Sequence, residues 1–214
     1  MARTNKDFES RKEHLIQLAL ERFIEKGYEG TTIMDLQKSF GLTKGGMYHY
    51  FSSKEEILDA VIEYGIAQEI KTLVKELEQI PLEKKLTYFM FSNTTNTFTK
   101  NLFRYSRNNN SSIVAYRLRE KTTKTLIPIV KSIVNLYIET GYYKSEYADE
   151  MSEFSIILAQ ALTEEGMLPE ADYLHKEKRI DALLDMWTKC MEPPKEHISE
   201  LKKNLYKTIS SEEN

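Results

Sequence analysis

The sequence predicts an all-α chain: an N-terminal, three-helix helix-turn-helix domain followed by a larger helical domain. Three observations predict it. Apolar residues recur at helical steps of three and four, and no alternating strand pattern interrupts them. Six of the eight glycines fall within the first 65 residues, so a turn-rich front precedes long helices. The stretch Thr31 to Phe51, TTIMDLQKSFGLTKGGMYHYF, then reads as two short helices joined by a tight turn.

The elements follow in order. The first helix spans about Asp7 to Lys26, with Ile16, Ala19, Leu20 and Phe23 on one face and Gly27 as its stop. Thr32 caps a second helix starting at Ile33, because its hydroxyl can accept from a free backbone N–H. Ile33, Leu36 and Phe40 turn inward, and Gly41 ends this helix in the left-handed conformation. Leu42 plugs the turn, and Thr43 caps a third helix running to Tyr50, with Met47 facing inward. Ser52 or Ser53, with Glu55 or Glu56 three residues on, makes a capping box for the fourth. The early face of that helix (Ile57, Leu58, Val61, Tyr64) serves the first domain and its later face (Ile66, Ile70, Leu73, Leu77) the second, so the two are joined without a flexible linker. Gly65 marks either a bend or a close contact.

An aromatic helix follows over about Leu82–Tyr105, whose weak helix-forming middle, SNTTNTFT, marks either a break or an interior polar wall. Next come a helix over Ser112–Thr140 kinked at Pro128, one from about Ser145 to Glu165, one over Tyr173–Met191, and a charged one from Lys195 to about Ile209. The boundary expected is 1–54 for the first domain and 55–214 for the second.

Composition narrows the function. The chain is 41% hydrophobic, enough to fill a core. Its net charge of −3 does not announce a nucleic-acid partner, but residues 1–54 carry nine Lys/Arg against seven Asp/Glu and the remainder 21 against 26. A mildly basic head on an acidic body fits a protein that meets phosphate with one end. The basic residues Arg3, Lys6, Arg11 and Lys12 either lie along a phosphate backbone or form a solvated terminus. Cys190 is alone, which excludes an intramolecular disulfide and agrees with a reducing cytoplasm. No secretory h-region and no apolar run near the roughly 18 residues of a membrane span are present. There is no P-loop, G-x-G-x-x-G, G-x-S-x-G or H-E-x-x-H, and His14, His49, His175 and His197 lack metal-ligand spacing. No catalytic residue, cofactor or metal is expected.

On the outward face of the third helix lie Lys44, Gly45, Gly46, Tyr48 and His49. Lys44 can reach a phosphate or the O6/N7 edge of guanine. The paired glycines, costing roughly 1 kcal/mol each in a helix, point to close approach to DNA or to a loose first turn. Tyr48 and Tyr50 are either DNA contacts or core-edge tyrosines.

The residues FIEKGYEGTT (Phe23 to Thr32), FGLTKG (Phe40 to Gly45), Tyr48-His49-Tyr50-Phe51 and Ser53-Lys54-Glu55-Glu56 together resemble the TetR family of bacterial transcriptional regulators, from about Leu15 to Leu58. The resemblance implies a dimer on a palindromic double-stranded operator, ligand-responsive and by family habit a repressor. It implies DNA contacts from Thr32, Thr43, Lys44, Gly45, Gly46, Tyr48, His49, Tyr50 and Lys54. Gln37 and Phe40 stand where relatives usually carry small residues; Phe40 fills space between the helices, and Gln37 either reaches a base or stays solvated. By resemblance the stripes Met151, Phe154, Leu158, Ala161, Leu162 and Ile180, Leu183, Leu184, Trp187, Met191 build a homodimer interface; part of each can instead pack into its own core. The aromatic helix, with Tyr88, Phe91, Phe98 and Phe103, the polar patch Ser92 to Thr97 and the Pro128 region either enclose a partly apolar small-molecule effector or are plain core. The other reading of the whole chain is a helical small-molecule-binding or adaptor protein of the same architecture without specific DNA binding.

Overall fold

In this computed structural model the described residues are 2–91, 97–109, 111–163, 168–169 and 173–211, with backbone alone at 2–5, 97, 100, 103, 163, 173–174 and 208–211. Ten α-helices and one 3₁₀ turn, Leu82–Lys84, make up the described secondary structure: α1 (Ala2–Gly30), α2 (Ile33–Phe40), α3 (Lys44–Tyr48), α4 (Lys54–Gln79), α5 (Lys85–Phe91), α6 (Thr97–Asn108), α7 (Ser112–Glu139), α8 (Ala148–Thr163), α9 (Tyr173–Met191) and α10 (Lys195–Ser211).

The chain folds into two compact units that do not divide at residue 54. One comprises Met1–Thr72 and Thr94–Thr122, the other Leu73–Asn93 and Thr123–Asn214. Helices α4 and α7 each supply residues to both.

In the first unit, Leu15, Ala19 and Phe23 of α1 bury against Leu36 and Phe40 of α2, Met47 of α3, and Ile57, Leu58, Val61 and Ile62 of α4. Val114 and Leu118, fully buried on α7, complete this core, which is why the unit reaches far along the chain. Helices as short as α2 and α3 are unstable alone. Burial at about 1.5–3 kcal/mol per large apolar side chain holds them instead. Helix α1 breaks at Gly27 (φ 75, ψ 162), where the expected stop lies.

Over the expected helix at 82–105 the described residues are helical on both sides of its weak middle. After the 3₁₀ turn comes α5, and α6 begins at Thr97; residues 92–96, most of the expected polar patch, lie outside the described set. The start of α6 is fixed from a distance. The Glu69 carboxylate on α4 accepts from the Phe98 N–H (2.7 Å), the Thr99 N–H (3.3 Å) and the Thr99 hydroxyl (2.5 Å), satisfying donors that a helix N-terminus leaves free. Phe98 packs against Gly65, where a Cβ would stand 2.2 Å from the ring, so Gly65 is a close contact. Phe98 therefore belongs to the first unit's packing and is not a second-domain pocket wall.

In the second unit, Tyr137 of α7, Tyr143, Trp187 of α9 and His197 of α10 form a buried aromatic cluster. The Leu86 N–H donates to the Tyr137 hydroxyl (3.0 Å), and the Tyr143 hydroxyl bonds His197 Nδ1 (3.0 Å). Burial holds His197 below the usual histidine range. Helix α7 runs through Pro128 as one continuous helix, forgoing a single backbone bond, and stops before Gly141 (φ 70).

Candidate nucleic-acid interface

The site is built from two caps and a turn. Thr32 Oγ1 accepts from the Asp35 N–H (3.1 Å) while Asp35 Oδ2 accepts from the Thr32 N–H (2.9 Å), a reciprocal box that starts α2. Hydrogen bonds from Lys26 and then from Thr32 hold the Asp35 carboxyl far below the usual carboxylate range. Gly41 (φ 61, ψ 31) turns the chain, and Thr43 Oγ1 accepts from the Gly46 N–H (3.2 Å) to start α3. Helix α3 is only Lys44–Tyr48, with His49 as its C-cap, shorter than the expected run to Tyr50. Met47, wholly buried, anchors its inner face. For α4, Ser53 Oγ accepts from the Glu56 N–H (3.1 Å), and Glu56 bonds back to Ser52, so both serines share the capping.

With α3 pinned from beneath, Thr43, Lys44, Gly45 and His49 are exposed and Tyr48 is 45% exposed. Thr32 is also exposed, and Gly46 half-buried. A Cβ at Gly45 would meet nothing within 4 Å, and one at Gly46 only ordinary contacts from Thr43 and Leu42. The protein's own packing therefore has no need of glycine at 45. Lys54 is half-buried, its ammonium 4.2 Å from the centroid of the Tyr28 ring, and burial lowers its pKa. Tyr50 is half-buried rather than free, because Phe8 of α1 stacks on it. Phe40 is buried between the two helices, its ring 6.3 Å from that of Phe51. Gln37 is half-buried, its amide nitrogen enclosed with no hydrogen-bond partner among the described residues, and so it does not stand in solvent.

Sequence reading missed Phe8. Its signal was present: Phe8 and Leu15 stand seven apart on one face of α1. The basic residues beside it are helical, and Lys12 lies 5.5 Å over the Phe51 ring.

The remaining expected residues separate. Tyr88 and Phe91 are half-buried in the second unit, where the Tyr88 hydroxyl donates to Glu76 (3.0 Å), and the Phe103 side chain is outside the described set. An open recess of about 460 Å³ in the second unit is lined by Lys144, Tyr147, Lys189, Cys190 and Glu192, and by neither Tyr88 nor Phe91. On α8, Phe154 is 50% and Ile157 48% exposed, with Leu158 and Leu162 half-buried. On α9, Leu183 is half-buried, whereas Trp187 and Met191 are buried inside their own chain. Those two are core residues, not interface residues, because Trp187 packs against Tyr143. Among the described residues no cluster of His, Cys, Asp and Glu is arranged to hold a metal, and no helix is long and apolar enough to cross a membrane.

A capped two-helix turn on a three-helix core, with its second helix outward, defines a helix-turn-helix protein of the all-α class. Residues 15–61 match the model of the family described as bacterial regulatory proteins, tetR family. Over that stretch, which holds the helix-turn-helix, the chain is similar to bacterial regulatory proteins of the tetR family. The HTH-type transcriptional repressor KstR2 of Mycolicibacterium smegmatis is 35% identical over 89 residues, which are 39% of this chain and 42% of that protein. This match thus spans less than half of KstR2's length. IcaR, the negative transcriptional regulator of the biofilm operon icaADBC in Staphylococcus aureus, is 24% identical over 160 residues, 65% of this chain and 86% of that one. In fold the chain is similar to RolR solved with resorcinol, with TM-score 0.60 and 17% identity over 94% of this chain and 95% of that one.

Proposed function

We propose that this protein is a cytoplasmic repressor that binds a palindromic operator as a homodimer and is released or altered by a small-molecule effector. The observation that carries the reading is the outward face of α3. Lys44, Tyr48 and His49 are exposed around a glycine that nothing in the protein requires. Residues 1–54 supply the DNA contacts. Lys44 and Lys54 neutralise phosphates, Thr32, Thr43, Tyr48 and Tyr50 position the backbone, and His49 faces bases or sugar across the gap that Gly45 and Gly46 leave. Repression is supported by KstR2 and IcaR, both named as negative regulators.

The later part of the chain, chiefly the second unit of Leu73–Asn93 and Thr123–Asn214, supplies dimerisation and effector binding. Phe154 and Ile157, large apolar side chains half out in solvent, with Leu158 and Leu162 beside them and Leu183 on α9, suit an isologous contact with a second copy. A partly apolar effector is read from Tyr88 and Phe91, and RolR, of the same fold, was solved with resorcinol. An effector changes operator affinity only by binding one arrangement of the dimer better than another.

The test is selection of duplexes from a randomised pool by the full-length protein. The expected product is a palindrome with half-sites about one helical turn apart. Enrichment of no duplex, or of sites lacking two-fold symmetry, contradicts the reading.

A further inference from the structure

Seven residues before the family-matched stretch begins, α1 carries Phe8. Its ring stacks on Tyr50, with centroids 4.9 Å apart and planes inclined by 14°. It meets His49 edge-on at 5.5 Å and 87°. His49 and Tyr50 also meet edge-on, at 5.3 Å and 79°. Each of the three rings thus touches the other two, in the offset and T-shaped arrangements that aromatic quadrupoles favour. The triad sits where α3 ends, and it ties that end to α1.

We propose that Phe8 is a positioning residue for DNA recognition, which sets the orientation of His49 and Tyr50 before DNA arrives. The proposal rests on the reading of α3 as the DNA-facing helix. Two facts make a splint necessary. Helix α3 has five residues, two of them glycine, so its C-terminal end has little helical stability of its own. His49 is exposed, and among the described residues its ring contacts are Phe8 and its own chain neighbour Tyr50. An exposed side chain ordered only on binding lowers affinity by about two- to tenfold. Phe8 removes that loss by ordering the rings in the free protein.

The test measures anisotropy on a duplex enriched by the wild-type protein, with Phe8→Ala, Phe8→Leu and Phe8→Trp. Each is made alone and in a background carrying His49→Ala and Tyr50→Ala, which forms a double-mutant cycle. Phe8→Ala and Phe8→Leu are expected to weaken binding about three- to tenfold. Leucine fills space but cannot stack, whereas Phe8→Trp stays within about twofold of wild type. In the background without both rings, Phe8→Ala is expected to change affinity by less than about twofold. A loss of equal size there means that Phe8 meets DNA itself or acts only on folding, and overturns the proposal. Wild-type affinity in both Phe8→Ala and Phe8→Leu overturns it as well. If the wild-type protein enriches no duplex, the DNA-binding reading fails and takes the proposal with it.

Discussion

At single residues, stability and DNA affinity can pull in opposite directions, which makes them separable by experiment. Gly45 is exposed on α3 and a Cβ there meets open space, so Gly45→Ala should stabilise the free protein by about 0.5–1 kcal/mol through better helix propensity. On the proposed reading of α3 as the DNA-facing helix, the same methyl would stand between helix and groove, so operator affinity should fall. Denaturant unfolding and anisotropy read the two signs separately; a rise in both would mean the glycine serves no close approach. Tyr28, beneath Lys54, bears on stability alone. Burial, then the Glu55 charge, pushes its phenol up to about 12, above the ordinary tyrosine near 10. A raised phenol adds stability that is fully present below the unfolded value and is lost as pH rises through the folded one. Stability should therefore be level up to about pH 10 and fall towards about pH 12, with Tyr28→Phe reducing that fall. An unchanged slope in Tyr28→Phe would place the alkaline loss elsewhere. Sequence reading reaches residues of this kind when their partners are local. Thr32 with Asp35, Ser53 with Glu56, and the turn at Gly41 are written within four positions. Phe8 with Tyr50 is 42 positions apart and left only a faint periodic trace.

At the scale of elements, helix ends divide into those set locally and those set by a distant group. Helices α2 and α9 lie where apolar periodicity and stop residues place them, over Ile33–Phe40 and Tyr173–Met191. The start of α6 is of the other kind. Its cap is Glu69, 29 positions from Phe98, and its seat is the bare backbone of Gly65. Nothing near Thr97 in sequence announces either. Similarly, α7 enters the first unit's core through Val114 and Leu118, whose apolar spacing says they are buried but not against what. Ion pairs Arg117–Asp59 (3.2 Å) and Lys121–Glu63 (2.5 Å) link α7 to α4; both are partly exposed, so each contributes at most about 1 kcal/mol. Phe98 packs in the same unit, on the bare face of Gly65. Gly65→Ala drives a methyl into that ring, and the overpacking should cost about 1–3 kcal/mol. Adding Phe98→Ala to Gly65→Ala should remove the clash, so the pair should be less destabilising than the sum of the single changes. Strict additivity would show that the ring does not fill the space beside Gly65.

For the whole molecule, the central claim is that one end of the chain meets DNA while the remainder pairs copies and answers an effector. The helix-turn-helix itself was legible because its turn is short and its residues adjacent. The second half was legible only as periodicity, which cannot tell an interior stripe from an interfacial one. Phe154 and Ile157 face solvent, yet Trp187 and Met191, of equal apolar strength, are interior. The most direct measurement is a salt series of anisotropy on the selected duplex, comparing wild type with Lys44→Ala and Lys54→Ala. If these lysines neutralise phosphates, log affinity should fall linearly with log salt, and each alanine should flatten the slope by about 0.9 for every phosphate it leaves without its lysine in each half-site. Wild-type slopes in both variants, or an affinity indifferent to salt, would contradict the claim that this face binds DNA.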